Sequence, residues 1–338
     1  MTPQSFLSLY NKFISSGIES QIDYDKFYLY SLITHSTAIE GSTVTEVENH
    51  LLFDEGLSVP NRTMKEQLMN LDLKSAYEKS FGLAEKHSEI TVDLLKFLSS
   101  LVMKNTGTVY KNIAGEFSSA KGELRLVNVS AGRGGSSYMS YTKVPAKLEE
   151  FCNWLNKARH TIDKNDIIAL YNLSFDAHYN LVTIHPWADG NGRMSRLLMN
   201  MLQFEAKIIP VKVSSEHKSE YIEVLENTRE TEDLNIFRTF MLNEHAANLQ
   251  KMLNEYNSSS ISDSLILPQN DTVNDTVNDT VNLIFELIKA NPKITYSELA
   301  KESGKSRATV ARAVKKLSDI GAIRRAGADK NGFWEITI

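Results

Sequence analysis

The stretch HPWADGNGRMSR, residues 185–196, follows one segment with helical periodicity, 166–183, and leads into another, 194–206. Apolar residues recur in both segments at the spacing of one helix face. The Gly-Asn-Gly sequence at 190–192 lets backbone N–H groups turn toward one point at the start of the second helix. Such a helix start is suited to binding an anion. The stretch therefore predicts two helices joined by a phosphate-binding loop.

The polar side chains of the same stretch are suited to phosphate chemistry. Arg193 and Arg196 are three positions apart on the second helix, so both guanidinium groups can reach along one face to a polyphosphate. Asp189 offers a hard oxygen ligand of the kind that Mg²⁺ accepts together with phosphates and water. His185 ends the first helix, where an imidazole can act as a general base. Each feature is common alone, but together they predict a nucleotide site.

This stretch resembles the signature of the Fic family, H-P-F-x-[D/E]-G-N-G-R-x-x-R, with Trp187 in place of the usual Phe. Residues 171–179 look like the family helix that leads into the motif, and residues 221–225 look like the helix that follows it. The resemblance implies a mainly α fold, a Fic-type helical bundle with a β-hairpin flap. It also implies AMPylation, the transfer of AMP from ATP to a Ser, Thr or Tyr hydroxyl of a target protein, with release of pyrophosphate.

The resemblance also implies a role for each residue. His185 would take the proton of the target hydroxyl, and Asp189 would hold Mg²⁺ against the phosphates of the substrate ATP. Arg193 would bind the β-phosphate and Arg196 the γ-phosphate. The nucleotide-binding set is then Gly190, Asn191, Gly192, Arg193, Arg196 and Tyr221, of which Tyr221 would border the adenine.

Residues 36–41, STAIEG, resemble the inhibitory motif of the family, [S/T]-x-x-x-E-[G/N]. Ser36 and Glu40 are four positions apart on one helical face, and Gly41 is a plausible helix end. The resemblance implies an ion pair between Glu40 and Arg196 that displaces the γ-phosphate, so we expect an autoinhibited enzyme.

Residues 127–142 combine a β-leaning start with a turn that contains Gly132, Gly134 and Gly135, which predicts a β-hairpin. By the same resemblance this hairpin is the flap on which a target protein docks.

The C-terminal 56 residues, 283–338, have the pattern of a winged helix-turn-helix domain and carry more Lys and Arg than Asp and Glu. Candidate phosphate contacts for DNA are Arg307, Arg312, Lys315, Lys316, Arg324 and Arg325. A protein partner at this domain is the alternative.

Four regions are predicted along the chain. They are a helical region with the inhibitory motif at 1–105, a catalytic core at 106–255, a linker with three DTVN copies at 256–282, and the winged helix at 283–338. The last DTVN copy is a candidate N-cap for the helix that follows it.

Composition limits the protein class. The chain has 338 residues, a formal net charge of −5 and one cysteine, Cys152, which excludes an internal disulfide and a thiolate zinc cage. Neither a signal peptide nor an apolar run of membrane length is visible, so we expect a cytoplasmic protein. The resemblance also allows a homodimer.

Three alternatives remain open. The chain could be a DNA-binding regulator in which the Fic body is only a sensor, a Fic enzyme that transfers another nucleotide, or one that mainly removes AMP. The paired Arg193 and Arg196 favour a triphosphate substrate.

Overall fold

The computed structural model describes residues 1–21, 23–130, 137–263, 275–305, 307–319, 323–326 and 333–336. The chain divides into two compact units, Met1–Ile261 and Ser262–Ile338. Both are mainly helical, as the sequence predicts. No helix among these residues is both long and apolar enough to cross a membrane.

The first unit contains ten helices among the described residues. They are α1 (Pro3–Ser15), α2 (Tyr24–Ile39), α3 (Glu46–Asp54), α4 (Met64–Glu85), α5 (Val92–Val102), α6 (Val144–Thr161), α7 (Ile167–Ile184), α8 (Asn191–Glu205), α9 (Lys218–Thr231) and α10 (Leu234–Asp263). Short 3₁₀ turns lie at Ile18–Ser20, Ser119–Lys121, Tyr141–Lys143 and Ser215–His217.

Local sequence sets several helix starts. Thr2, Thr45 and Thr63 are N-caps whose hydroxyls accept a hydrogen bond from the backbone N–H three residues on. In each case the side chain three residues on bonds back to the cap, which completes a capping box. Helix α8 lies at the centre of the unit and packs against α2, α4, α5 and α7. Because its motif residues are surrounded in this way, most of them are buried.

A β-hairpin that the sequence did not predict joins α5 to the flap segment. Strand β1 (Val109–Asn112) pairs antiparallel with β2 (Gly115–Ser118), with Val109 opposite Ser118 and Asn112 opposite Gly115. These strands are short, and their apolar content is low, so the pattern of alternating apolar residues that identifies a strand is weak here.

The predicted hairpin at 127–142 is only partly regular where the structure describes it. One antiparallel bridge joins Ser130 to Ser137, and the N–H of Tyr138 donates to the carbonyl of Val129 at 3.0 Å. The turn at 131–136, with Gly132, Gly134 and Gly135, lies outside the described residues. Residues 124–129 are not a strand, and the Val127 carbonyl accepts from the Arg125 side chain at 2.7 Å.

The second unit has the predicted winged-helix order. Helices α11 (Asp275–Ala290), α12 (Tyr296–Ser303) and α13 (Arg307–Asp319) precede β3 (Ile323–Ala326), which pairs antiparallel with β4 (Phe333–Ile336). A separate apolar core includes Ile284, Val310 and Trp334, and the Trp334 indole N–H donates to the Ile294 carbonyl at 3.1 Å. Gly304 is the C-cap of α12, in a left-handed conformation at φ +65°.

The segment expected to be a linker, 256–282, contains the end of α10 and the start of α11. The second and third DTVN copies are helical, so α11 begins before the last copy rather than after it. The domain limits within the first unit stay a prediction.

Candidate active site

His185 ends α7 in a left-handed conformation at φ +53°, with its N–H donating to the Leu181 carbonyl at 3.0 Å. Its Nδ1 lies 3.2 Å from the Val182 carbonyl, which assigns the proton to Nδ1 and leaves Nε2 as the basic atom. Burial lowers the pKa of His185 to about 4, against the opposing effect of the Val182 carbonyl. The charges of Arg125 and Arg229 lower this pKa further. The imidazole is therefore neutral near pH 7, the form a general base needs.

Arg125 joins the motif loop to the flap segment, and sequence reasoning missed it. Its buried guanidinium donates to the carbonyls of His185 at 2.7 Å, Val127 at 2.7 Å and Met139 at 2.6 Å. Its backbone N–H donates to the Pro186 carbonyl at 3.0 Å. Arg125 therefore fixes both sides of the flap base relative to the imidazole. The partners of its side chain among the described residues are all backbone atoms, so no sequence pattern could have indicated them.

Tyr138 and Arg229 cover the imidazole, and sequence reasoning missed both. The Tyr138 ring stacks on the His185 ring with centroids 3.8 Å apart and planes at 19°. The Arg229 guanidinium carbon lies 4.8 Å from the Tyr138 ring centroid, on α9. Arg229 Nε is buried without a hydrogen-bond partner among the described residues. Tyr138 of the flap and the Arg229 cation thus lie where a substrate must approach His185.

The motif loop is held by Trp187 and Asn191. The Trp187 indole is buried and donates to the Gly122 carbonyl at 3.0 Å, so the larger ring keeps the role of an aromatic anchor and gains a hydrogen bond. Asn191 accepts from the Trp187 N–H at 3.1 Å and donates to the Trp187 carbonyl at 2.8 Å. The carbonyl oxygen and one N–H of the Asn191 amide are thus used within the loop, which fixes the conformation of the motif.

Helix α8 begins at Asn191, after Gly190 in a left-handed conformation at φ +82°. The N–H groups of its first turn have no acceptor within the helix, so they face an anion site. The Gly190 N–H is different, because it donates to Asp189 Oδ1 at 2.6 Å.

Asp189 is 50% exposed at the edge of this cradle and lies 3.8 Å from Arg193. No group of three or more acidic, histidine or cysteine side chains that could hold a metal ion occurs in the described part of the chain. A single half-exposed carboxylate fits Mg²⁺, which binds nucleotides through one or two carboxylates, phosphates and several waters. It does not fit an ion caged by protein alone.

Arg193 is buried but weakly bonded. It donates to the Val102 carbonyl at 3.3 Å and to the Met103 sulfur at 3.0 Å, and its Nε has no partner among the described residues. Burial lowers its pKa, and the charges of Glu40 and Asp189 oppose that effect. Arg193 therefore retains donors for a further anion.

Arg196 is buried and well bonded to the end of α2. It donates from Nε to Ser36 Oγ at 2.8 Å, from Nη2 to the Ser36 carbonyl at 3.0 Å, and from Nη2 to Glu40 Oε1 at 2.6 Å. The Glu40 side chain is 30% exposed. Burial acts to raise the pKa of Glu40, but the charge and hydrogen bond of Arg196 hold it below the ordinary value. The structure thus brings together Ser36, Glu40 and Arg196, as the sequence predicts.

The Glu40 carboxylate lies against the first turn of α8. A Cβ added to Gly192 would lie 2.5 Å from Glu40 Oε1 and 3.1 Å from Arg196 Nη1. A side chain at position 192 would displace this carboxylate, a reason for Gly192 that sequence reasoning missed. An internal anion therefore stands at the opening of the anion cradle.

The end of α2 is held by buried polar side chains. Asn70 accepts from the Thr37 hydroxyl at 2.9 Å and donates to the Ser42 hydroxyl at 3.1 Å. Glu40 is the C-cap of the helix, and Gly41 follows at φ +99°. Asn70 thus fixes the chain on both sides of Glu40, and sequence reasoning missed this contact as well.

The position of Tyr221 differs from the expectation that it borders the adenine. It is 3% exposed, and its hydroxyl lies 2.8 Å from His178 Nε2. Burial raises the pKa of Tyr221, while the charge of Arg196 and a hydrogen bond with it act in the opposite direction. Because the ring is enclosed in the core, Tyr221 can orient Arg196 but has no free edge for a base.

The DNA-contact candidates are only partly visible. The side chains of Arg307, Arg312, Lys315 and Lys316, on α13, lie outside the described residues. On β3, Arg324 pairs with Glu335 at 2.6 Å, and the Arg325 guanidinium lies 4.7 Å from the Trp334 ring centroid.

Comparison with known proteins adds family information. Residues 89–203 match the model of the Fic/DOC family, and residues 278–324 match a model described as winged helix-turn-helix DNA-binding. Protein adenylyltransferase fic-1 of Caenorhabditis elegans is 26% identical over 257 residues, 74% of this chain and 46% of the relative. Protein adenylyltransferase Fic of Drosophila persimilis is 30% identical over 202 residues, 59% of this chain and 36% of the relative. The chain thus spans less than half the length of these relatives.

Solved structures share the fold. A Fic family protein from Desulfovibrio desulfuricans aligns with a TM-score of 0.61 at 19% identity, covering 100% of this chain and 97% of that one. Residues 134–508 of C. elegans Fic-1 align with a TM-score of 0.60 at 23% identity, covering 76% and 72%. At these identities the likeness concerns the fold.

Proposed function

This chain carries a Fic/DOC family domain at residues 89–203, and from that premise we propose that it is an autoinhibited protein adenylyltransferase. It transfers AMP from ATP to a Ser, Thr or Tyr hydroxyl of a target protein and releases pyrophosphate. The observation that carries the proposal is the Glu40 carboxylate, which pairs with Arg196 at 2.6 Å beside the start of α8. A site that holds an internal anion beside a weakly bonded arginine is suited to a polyphosphate.

We assign His185 as the catalytic residue, because it accepts a proton in this reaction. Its Nε2 takes the proton of the target hydroxyl while the oxygen forms a bond to the α-phosphorus. The bond from this phosphorus to the oxygen that bridges the β-phosphate breaks, and pyrophosphate leaves with that oxygen. A general base of this kind contributes roughly 10²–10⁴-fold to a rate.

Different groups of the cradle bind the three phosphates of ATP. The free N–H groups of the first turn of α8 bind the α-phosphate, where charge redistributes in the transition state. Arg193 binds the β-phosphate through donors that have no strong partner, and Arg196 binds the γ-phosphate once Glu40 has withdrawn. Asp189 holds Mg²⁺, which neutralises charge on the phosphates when it is bound.

The target protein docks on the flap around 127–142. A groove of about 310 Å³ lies beside this segment, lined by Met139, Phe151, Trp154 and Ile184 among others. Ile184 directly precedes His185, so the groove adjoins the base. An extended target segment that pairs with the flap would have apolar surface next to its acceptor hydroxyl.

Inhibition follows from competition for Arg196. A charge-assisted pair of this type contributes about 1.5–3 kcal/mol, which corresponds to a roughly ten- to hundredfold loss of productive ATP binding.

The test uses ATP labelled at the α-phosphate, Mg²⁺, a cell lysate, and three purified proteins: wild type, Glu40→Gly and Glu40→Gly/His185→Ala. We expect label on protein with Glu40→Gly, much less with wild type and none with the double variant. Equal labelling in all three would contradict both roles. If no protein is labelled, GTP, CTP and UTP labelled in the same way test the alternative of another nucleotide, and loss of AMP from pre-labelled protein tests AMP removal.

A second function is favoured by the match of residues 278–324 to a winged helix-turn-helix DNA-binding model. We propose that this unit binds DNA through α13. The test is a gel shift with genomic fragments at two salt concentrations, using Arg307→Ala/Arg312→Ala. Weaker binding with a shallower salt dependence supports phosphate contacts, and unchanged binding contradicts them.

The homodimer and the cytoplasmic location stay predictions. Light scattering after size exclusion tests the first, and fractionation of cells tests the second.

A further inference from the structure

A cavity of about 450 Å³ lies away from the motif loop, among the ends of α4, α6 and α8 and the start of α7. Its lining residues include Arg159, Lys164, Leu173, Leu202, Glu205 and Lys207. None of the residues assigned to the nucleotide is among them. The volume falls in the range of roughly 300–1,000 Å³ that is typical of small-molecule sites.

The floor of this cavity is apolar. Leu170 and Leu202 are buried, and Ile162, Leu173 and Ala206 are partly buried at the edge of the main core. The part of this floor that stays exposed can be covered by the apolar body of a ligand.

The walls are cationic. Three cationic side chains, Arg159, Lys164 and Lys207, line the cavity with one carboxylate, Glu205, which leaves a formal charge of plus two when the histidines are not counted. Arg159 is 7% exposed and pairs with Glu205 at 2.7 Å, and His87 Nδ1 lies 3.0 Å from the same carboxylate. Glu205 is thus already used, and no ion pair of Lys164 or Lys207 occurs among the described residues.

Helix ends explain only part of this charge. His87 and Lys207 follow the C-termini of α4 and α8, where a cation is favourable. Both adopt positive φ, +49° and +56°, a conformation in which glycine has less strain. Lys164 instead lies just before α7, whose N-terminus disfavours a cation. The helix dipole therefore does not favour its charge, which lies between the carboxylates of Asp163 and Asp166 in the sequence.

We propose that this cavity binds a small amphipathic anion, a molecule with an apolar body and one anionic end group. The apolar body covers Leu170, Leu173 and Leu202. The anionic group lies between Lys164 and Lys207, with Arg159 held behind them by Glu205. This site is independent of the proposed adenylyl transfer.

The test is calorimetric titration of the full chain with decanoate, and with decyltrimethylammonium as a probe of equal apolar length and opposite charge. We expect saturable binding of one decanoate per chain, and binding of the cation that is at least about tenfold weaker. Absence of decanoate binding, or equal binding of both probes, would overturn the proposal.

Two variants locate the site. Lys164→Glu/Lys207→Glu removes the free cations and Leu173→Asp changes the floor, and each is expected to weaken decanoate binding at least tenfold with an unchanged circular dichroism spectrum. Lys12→Glu, an exposed charge reversal on α1, is the matched control and leaves binding unchanged. If Lys12→Glu weakens binding equally, the attraction is a general surface effect and the proposal fails.

Discussion

The two arginines of the α8 start differ in what surrounds them, although they lie one turn apart and are both buried. Arg196 is the better bonded of the two, because Ser36 and Glu40 of α2 accept three hydrogen bonds from its guanidinium. Arg193 is less well bonded, because its partners are one long carbonyl contact, a sulfur atom and the Asp189 carboxylate at 3.8 Å. The chain therefore supplies its own anion at the Arg196 end of the cradle and leaves the Arg193 end for a ligand.

Substituting each arginine in turn is expected to give the largest difference in the stability of α8. Arg196→Met leaves the Glu40 carboxylate without its partner, and breaking a buried pair in this way costs roughly 3 kcal/mol. Arg193→Met removes no comparable pair and is expected to cost less than about 1 kcal/mol. Hydrogen exchange of peptides from α8 measures the free energy of opening of this helix. Equal losses in the two variants would remove the distinction.

Removing Glu40 tests which phosphate is blocked. In Glu40→Gly we expect a ten- to hundredfold gain in affinity for a non-hydrolysable ATP analogue. Affinity for ADP changes little, because the β-phosphate is assigned to Arg193. Calorimetry measures both, and Glu48→Gln, whose carboxylate pairs with Arg62 elsewhere, is the matched control. Equal gains for ATP and ADP would show that Glu40 blocks more than the γ-phosphate site.

Ser36→Ala removes one of the three hydrogen bonds to Arg196. A buried hydrogen bond contributes about 1 kcal/mol, so we expect about fivefold more label transfer than with wild type, well below Glu40→Gly. Ser31→Ala, on the same helix but bonded to Glu46, is the control and leaves transfer unchanged. Transfer equal to that of Glu40→Gly would mean that the carboxylate alone cannot hold the pair.

The smallest effect concerns His185 and its neighbour Arg229. With a pKa of about 4, the imidazole stays neutral from high pH down to about pH 4, so transfer is flat above that value and falls below it. Arg229→Met removes a charge that lowers this pKa, so the acid limb moves to higher pH. The measurement is the pH profile of label transfer in the Glu40→Gly background, with Lys12→Met as control. An unmoved limb would exclude an electrostatic influence of Arg229.

The predictable part of the site consists of residues that are close in the sequence. His185, Asp189, Arg193 and Arg196 lie within twelve positions, and helical periodicity with a Gly-Asn-Gly turn was enough to place them together. Glu40 could be added only through the family resemblance, since it is 156 positions from Arg196. The expectation that Tyr221 borders the adenine failed, because the sequence pattern of a tyrosine on an amphipathic helix is the same whether its ring faces a ligand or the core.

The helical class, the helix starts, the winged-helix order and the phosphate loop follow from the amino-acid sequence, because all of these depend on contacts within a few residues. The groups that complete the site follow from how distant parts of the chain pack together. Arg125 acts through backbone carbonyls, Tyr138 through the face of a ring, and Gly192 through the space that it leaves for Glu40. None of these contacts has a characteristic spacing along the chain, because each arises from the packing of α2, α8, α9 and the flap.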